Sequence, residues 1–170
     1  MKRLFFALWP DDEIRRQCIE LIRTIDCKEG RSVQPGNLHV TLTFLGNVDT
    51  ETEIALTQAA ELIPVPEIAI RFDRIEFWRK PGILCLSSLQ PDPAATSLSL
   101  SITAMVSGFG VPVDERPFAP HVTLIRKAKR PVQAEFEPIV WSADSFCLVE
   151  SCTLPEGVEY RVVHRWGKIE

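Results

Sequence analysis

The sequence lacks the features that identify several large classes of protein. Its apolar runs fall well short of the roughly 20 residues that a membrane-spanning helix needs. The five cysteines form no Cys-x-x-Cys pair, so neither a disulfide framework nor a zinc site is indicated. The eight glycines form neither a Walker loop nor a Gly-x-Gly-x-x-Gly array, and there is no Gly-x-Ser-x-Gly elbow. These absences argue against a glycine-loop nucleotide site and against serine-hydrolase chemistry.

An excess of positive charge is also missing. The 170 residues carry 19 Lys and Arg against 23 Asp and Glu, a net charge of −4. This balance argues against a protein that coats nucleic acid with a large basic surface. It leaves room for a protein that binds a single phosphate or a strand end. Positive charge is concentrated locally in two short runs, Arg79-Lys80 and Arg126-Lys127-Ala128-Lys129-Arg130.

The first ten residues, Met1 to Pro10, have a short basic and then apolar pattern. They contain no small-residue cleavage site, and the polar residues after Pro10 end the apolar run quickly. We therefore expect a first β-strand rather than a signal peptide. We expect a cytoplasmic protein with no membrane partner.

The sequence contains the same four residues twice, as His39-Val40-Thr41-Leu42 and as His121-Val122-Thr123-Leu124. Each copy lies in an apolar run typical of a strand, in which alternate side chains point to opposite faces. His39 and Thr41 are therefore predicted to share one face, and His121 and Thr123 to do the same. The chain has three histidines in all, so the two motifs account for two of them.

The order of strand, helix, loop and histidine strand occurs twice at nearly equal spacing, which indicates an internal duplication. We expect an α+β fold in which two antiparallel sheets face a central cleft, with helices packed outside. The chain is predicted to form one domain, residues 1–170, with pseudo-repeat halves of roughly 1–80 and 81–170. The other predicted elements are a helix that begins after Asp11 or Asp12 and ends near Thr24, a helix from Glu51 to about Ile63 capped by Thr50, a strand pattern over Ile68–Trp78, and a helix from Asp92 or Pro93 to about Val106.

Two histidines around one phosphodiester can divide acid–base work. A neutral imidazole removes a proton from water or a hydroxyl, and a protonated one gives a proton to the leaving alkoxide. Each role is typically worth roughly 10²–10⁴-fold in rate. The hydroxyls of Thr41 and Thr123 are candidates to bind the non-bridging phosphate oxygens. Such chemistry needs no metal and no cofactor.

A metal site is the main alternative for His39 and His121. Zinc would need a carboxylate or a third ligand beside them. No Asp or Glu lies within two positions of either motif, and His-Glu-x-x-His spacing is absent. The sequence therefore favours a metal-independent pair.

The paired motifs and their surroundings resemble the two-histidine (2H) phosphoesterase superfamily, whose hallmark is two His-x-[Thr/Ser]-x motifs. The resemblance is strongest to its RNA 2′,3′-cyclic phosphodiesterase branch, also called the 2′-5′ RNA ligase family. It covers essentially the whole chain. The residues that carry it are Arg3 to Ala7, Asn37 to Gly46, Arg116 to Arg126, and the region of Tyr160 and Trp166.

The resemblance implies an enzyme that opens terminal 2′,3′-cyclic phosphates on RNA to 2′-phosphates. It implies that His39 is the proton donor to the 3′ oxygen and that His121 is the proton acceptor that activates water. From the residues alone the two roles are interchangeable. Members of the family also join RNA through 2′-5′ bonds, which is the same reaction run backwards. Hydrolysis is the expected direction because water is abundant and RNA ends are not.

Two further residues are candidates for the site. Phe5 is a candidate stacking surface for the terminal base, although Phe5 and Phe6 point opposite ways and at least one belongs to the core. Arg126 is a candidate phosphate ligand, although five positions after His121 an ideal strand points the other way. A strand end, bulge or twist would be needed to bring Arg126 to the phosphate. Thr43 is predicted to share the face of His39, and His164 to be structural or exposed.

Two other functions stay open at this stage. One is a non-catalytic module that binds RNA ends, and the other is a phosphodiesterase acting on another cyclic nucleotide or on a 2′-5′-linked nucleotide. The expected partners are thus RNA 3′ ends or small cyclic nucleotides, with no obligate protein partner. The modest charge predicts a monomer that touches only the last one or two nucleotides.

Overall fold

The computed structural model describes residues 1–168. Within that range three α-helices, one short 3-10 helix at Pro35–Asn37 and ten strands alternate in a mixed order. The helices are α1 Asp12–Thr24, α2 Thr50–Ala60 and α3 Pro93–Gly108, and the strands are β1 Lys2–Leu8, β2 Arg31–Ser32, β3 Val40–Val48, β4 Ile68–Phe72, β5 Arg74–Trp78, β6 Ile83–Ser87, β7 His121–Arg126, β8 Ile139–Ala143, β9 Ser145–Leu154 and β10 Gly157–Gly167. In residues 1–168 no helix is long and apolar enough to cross a membrane.

Short-range signals determine where the helices begin. The carboxylate of Asp11 accepts a hydrogen bond from the backbone N–H of Ile14, and that of Asp92 accepts one from Ala95. Both starts agree with the prediction, because an aspartate at the N-cap satisfies an otherwise unpaired helical N–H. The predicted cap of α2 is wrong by one residue. Asp49 caps that helix and Thr50 is its first residue.

The strands form the two predicted antiparallel sheets and one additional ribbon. The first sheet has the order β10-β9-β1-β3 and the second has the order β2-β7-β6-β5, while β4 and β8 pair separately. The predicted single strand pattern over residues 68–78 is wrong, because it divides at Asp73 into β4 and β5, which belong to different sheets. The carboxylate of Asp73 accepts the backbone N–H of Leu89, which fixes the bend between these strands.

The two sheets are joined by helices that pack across the molecule. Helix α1 follows β1 but packs against β7 and β8, and α3 follows β6 but packs against β3 and β4. Each helix therefore supports the histidine strand of the other sheet. Side chains at helical spacing on α1, namely Ile14, Cys18 and Leu21, enter the same buried cluster as Leu98 and Ile102 of α3.

This shared core holds the two sheets together. Burial of a large apolar side chain such as these contributes about 1.5–3 kcal/mol relative to exposure. Strands β9 and β10 pair beside β1, and β5 pairs beside β6, so each sheet takes strands from both predicted halves. The duplication itself, with its halves near 1–80 and 81–170, stays a prediction.

Candidate active site

Each histidine motif contains a β-bulge at its final leucine. In the pairing of β1 with β3, Ala7 opposes Thr41 and Phe6 opposes Thr43, which leaves Leu42 as an extra residue. In the pairing of β6 with β7, Cys85 opposes Thr123 and Leu84 opposes Ile125, which leaves Leu124 extra. An extra residue reverses the alternation of side chains beyond it. The residues after each motif therefore face the opposite way from an ideal strand.

The bulge at Leu124 resolves the orientation of Arg126. Leu124 and Ile125 are both buried, at 0% and 3% exposure, and Arg126 is exposed beyond them. The guanidinium thus returns to the face of His121 and Thr123. Its Nη2 lies 3.4 Å from the hydroxyl of Tyr160 on β10, so Arg126 reaches across the cleft from the second sheet to the first.

The bulge at Leu42 has the same effect in the first sheet. Thr43, predicted to share the face of His39, instead points to the helices, where it is buried and its hydroxyl lies 2.9 Å from that of Thr103 on α3. Phe44 takes the place on the outer face and is 59% exposed. Phe44 and Arg126 are therefore equivalent positions, each five residues after a motif histidine.

His39 lies just before β3 and is oriented by two hydrogen-bond partners. Its Nδ1 is 2.7 Å from the backbone carbonyl of Asn37, and its Nε2 is 3.0 Å from the hydroxyl of Thr41. Because a carbonyl can only accept, Nδ1 carries the proton, and Nε2 of the neutral ring accepts from Thr41. This tautomer leaves Nε2 as the nitrogen that can gain a proton.

Aromatic rings surround His39. The ring of Trp9 stacks over it at 6.0 Å, Phe5 lies at 4.9 Å, and the edge of Tyr160 lies at 5.0 Å. Burial among these rings lowers the pKa of His39 to about 4, although the bond to the Asn37 carbonyl acts in the opposite direction. His39 is therefore neutral at neutral pH in the free protein.

His121 has the same backbone anchor in a different setting. Its Nδ1 is 3.0 Å from the carbonyl of Ala119, so its Nε2 is also the nitrogen left for chemistry. The ring of Trp78 lies 4.4 Å away, and the indole of Trp78 donates to Glu76 at 3.0 Å. Burial lowers the pKa of His121, with a further decrease from the positive charge of Arg126. His121 is thus also neutral at neutral pH.

Arg126 acts on both histidines, since its charge contributes to the lowered pKa of His39 as well as that of His121. The histidine strands β3 and β7 are in contact. The structure thus places two neutral imidazoles and one exposed guanidinium in a single cleft. Such a cleft suits a small anion between the two rings.

Asn37 has a structural role at the site that the His-Val-Thr-Leu motif does not predict. Its side-chain amide donates to the carbonyl of Val158 at 2.8 Å and accepts from the backbone N–H of Tyr160 at 3.0 Å. Its own carbonyl holds His39. Asn37 thus links strand β10 by hydrogen bonds to the loop that orients the imidazole of His39. The only local signal for it is an Asn two positions before the first motif.

Phe5 does not suit the predicted stacking role. It is 4% exposed and packs against the rings of His39 and Tyr160 with no open face for a base. The exposed aromatic ring on this side of the cleft is that of Phe44, whose centre lies 6.2 Å from that of Phe5. His164 lies elsewhere, where its Nε2 is 3.4 Å from the carboxylate of Glu61, which directly follows α2.

Comparison with known proteins identifies relatives over the whole chain. A family model described as the 2′-5′ RNA ligase superfamily matches residues 10–152. The RNA 2′,3′-cyclic phosphodiesterase of Escherichia coli K12 is 33% identical over 98% of this chain and 96% of its own. That of Archaeoglobus fulgidus is 27% identical over 94% of this chain and 96% of its own. A crystal structure of E. coli LigT complexed with 3′-AMP superposes with a TM-score of 0.88 at 30% identity, covering 99% of both chains.

Proposed function

The chain belongs to the 2′-5′ RNA ligase superfamily, and from this premise we propose that it hydrolyses the 2′,3′-cyclic phosphate at the end of an RNA strand to a 2′-phosphomonoester. The observation that carries the proposal is the pair of imidazoles beside one guanidinium. In both rings a backbone carbonyl holds Nδ1 and leaves Nε2 for proton transfer. The similarity of the chain to two RNA 2′,3′-cyclic phosphodiesterases and to LigT complexed with 3′-AMP supports a cyclic RNA end as the substrate.

His121 is the proton acceptor in this proposal. Its neutral Nε2 removes a proton from water as the water oxygen attacks phosphorus. Burial favours this role because a lowered pKa keeps the imidazole unprotonated at neutral pH. Arg126 and the hydroxyl of Thr123, on the same face of β7, bind the non-bridging oxygens as negative charge increases on them.

His39 is the proton donor, and it must gain a proton before it can act. With a pKa of about 4 the free protein holds it neutral at pH 7. A bound phosphodiester carries a negative charge, which favours the imidazolium and raises that pKa. Nε2 of His39 then gives its proton to the 3′ oxygen as the P–O3′ bond breaks. His121 returns its proton to solvent, and the 2′-phosphate leaves with a 3′-hydroxyl.

The hydroxyl of Thr41 is well placed to assist this cycle. It lies 3.0 Å from Nε2 of His39. It donates to the neutral ring, and it is free to bind a phosphate oxygen once that nitrogen is protonated. When the 5′-hydroxyl of a second RNA replaces water as the nucleophile, the P–O3′ bond breaks in the same way and the product is a 2′-5′ RNA bond.

The direct test is turnover of an RNA that ends in a 2′,3′-cyclic phosphate, in the presence of a chelator. We expect a 2′-phosphate product and no 3′-phosphate. His39→Ala and His121→Ala should each lower kcat by roughly 10²–10⁴-fold. Unchanged turnover in the double variant would refute the two-histidine mechanism. Tight binding of the RNA end without turnover would instead indicate a binding module.

A panel of other ends tests the alternative substrates. Wild-type protein is compared on the cyclic RNA end, on a 3′,5′-cyclic nucleotide and on a 2′-5′-linked oligonucleotide. The proposal requires the highest kcat/KM on the 2′,3′-cyclic end. Faster turnover of either of the others would assign the cleft to a different phosphodiester.

A further inference from the structure

The two basic runs of the sequence come together at one end of the second sheet. The backbone N–H of Ala128 donates to the carbonyl of Gly82 at 3.0 Å, which joins the segment after β7 to the turn between β5 and β6. Arg126 pairs with Ile83 of β6 on one side and with Arg31 of β2 on the other. Together these contacts form a basic rim, defined as Arg31, Arg79, Lys80, Arg126, Lys127, Lys129 and Arg130.

The rim holds a large share of the positive charge of an acidic protein. Its seven residues are among 19 Lys and Arg in a chain with a net charge of −4. All seven are exposed. Among the residues that the structure describes, one rim cation has a carboxylate partner, since Arg130 lies 2.8 Å from Glu29. The remaining charges repel one another, which is a cost that a bound polyanion removes.

The rim is continuous with the candidate active site. Arg126 belongs to both, because it faces the cleft beside His121 and also pairs with Arg31. From Arg126 the rim extends along Lys127 and Lys129 and to the turn that carries Arg79 and Lys80. A strand whose terminal phosphate lies at Arg126 therefore has further cations beside its next phosphates.

We propose that the basic rim binds the sugar–phosphate backbone on the 5′ side of the cyclic phosphate. This inference rests on the proposed function and deepens it. The substrate is an RNA strand of several nucleotides rather than a free cyclic mononucleotide. The net charge alone predicted contact with only one or two nucleotides, but the clustering of cations beside the cleft changes that expectation.

The composition of the rim also indicates how it recognises RNA. Lys and Arg bind phosphates without regard to the base, so these contacts give affinity and position but no sequence preference. Base stacking is left to the other side of the cleft, where Phe44 is exposed. We therefore expect strands of equal length and different sequence to gain equally from the rim.

The experiment compares a nucleoside 2′,3′-cyclic phosphate with an octanucleotide that ends in the same group. The rim variant is Lys80→Gln with Lys129→Gln, one residue from each basic run, so that Arg126 and the histidines are untouched. The matched control is Arg23→Gln with Lys168→Gln, which removes two exposed cations, one on α1 and one directly after β10. KM is measured for each protein at several salt concentrations.

We expect the wild type to have a lower KM for the octanucleotide than for the mononucleotide at low salt. The rim variant should raise the octanucleotide KM by about 10-fold and leave the mononucleotide KM and kcat unchanged. The slope of log KM against log salt should decrease by about 1.4, since each phosphate contact on a single strand contributes about 0.7. The control variant should behave as the wild type does.

Each contrary result has a separate meaning. An octanucleotide KM that is equal in the rim variant and the wild type would overturn the rim proposal, as would an equal rise in the control variant. Equal wild-type KM and salt dependence for the two substrates would also overturn it, with the proposed hydrolysis intact. Failure of the wild type to hydrolyse either substrate would overturn the proposed function itself.

Discussion

The two sides of the cleft have the same backbone arrangement, but the side chains around the two histidines differ. On each side a histidine bonds through Nδ1 to the carbonyl two residues before it, a threonine follows two residues later, and a leucine bulge comes next. On the first side the neighbours are aromatic rings, with Phe5, Trp9 and Tyr160 packed around His39. On the second side His121 has Trp78, with Arg126 and the basic rim beyond it.

This difference gives two equivalent positions side chains of different chemistry. Five residues after each histidine the chain has Phe44 on one side and Arg126 on the other, and the bulges turn both toward the outer face. A phenyl ring can stack on a base, and a guanidinium can bind a phosphate. The cleft thus has two strands of similar backbone geometry that carry different side chains. This arrangement suits a substrate with an aromatic base at one end and an anionic chain at the other.

Loss of Arg126 should have the largest effect among the residues that distinguish the two sides. We expect Arg126→Ala to lower kcat/KM by roughly 10²–10³-fold, because removal of a charged donor to the developing oxyanion typically costs this much. Arg126→Lys should recover part of the loss, since it keeps the charge but not the two-pronged geometry. Steady-state kinetics on the cyclic mononucleotide measures this effect without a contribution from the other six rim residues. A loss of less than about threefold would remove Arg126 from the phosphate site.

The two histidines should also differ in how they link stability to pH. The folded protein lowers the pKa of His39 from 6.5 to about 4, so the unfolded chain binds more protons between these values. His39 therefore contributes stability above about pH 6.5, and that contribution is lost as pH falls toward 4. The loss amounts to up to about 3 kcal/mol.

Urea unfolding at pH 7 and near pH 4 measures this linkage, and His39→Asn should flatten the pH dependence. His121→Asn should flatten it less, because burial also lowers the pKa of His121, but among residues 1–168 only the ring of Trp78 packs against it, where three rings pack against His39. Carboxylates titrate in the same range, but they contribute equally to all three proteins. An identical pH dependence in wild type and His39→Asn would contradict the burial argument.

A substitution of Phe44 tests whether the aromatic side of the cleft binds the terminal base. Phe44→Ala should raise KM for the cyclic mononucleotide by about 10-fold with little change in kcat, since one stacked base is worth about 1–3 kcal/mol. Phe109→Ala is a matched control, because Phe109 is 45% exposed at the end of α3. Equal KM values for the Phe44 variant and the wild type would mean that the base does not stack on Phe44.

These comparisons also show what the sequence could and could not predict. The caps at Asp11 and Asp92 were predictable because they depend on residues three positions apart. Strand alternation placed each histidine with its threonine. It failed for Thr43 and left Arg126 unresolved because nothing in the sequence marks a leucine as the extra residue of a bulge. The exposure of Phe44 was not predictable from the sequence either, because it depends on the bulge at Leu42.

The smallest effect, and the sharpest contrast between the two motifs, should come from Asn37. The second motif has Ala119 at the equivalent position, which holds His121 through its carbonyl and has no side-chain amide. Asn37→Ala makes the first motif like the second. It removes the two hydrogen bonds to β10, and each such bond is worth about 1 kcal/mol.

We expect Asn37→Ala to lower kcat by about 5–10-fold with little change in KM, because His39 remains present but is held less firmly. The pH profile is the informative readout. Looser packing around His39 admits water, so its pKa should move back toward 6.5, and the limb of the kcat/KM profile that reports His39 should move to higher pH. Asn47→Ala is the control, since Asn47 is an exposed residue near the end of β3, the strand that follows Asn37. A lower kcat with an unmoved pH profile would mean that the amide only stabilises the fold, whereas a moved profile would show that the contact with β10 sets the proton affinity of the imidazole.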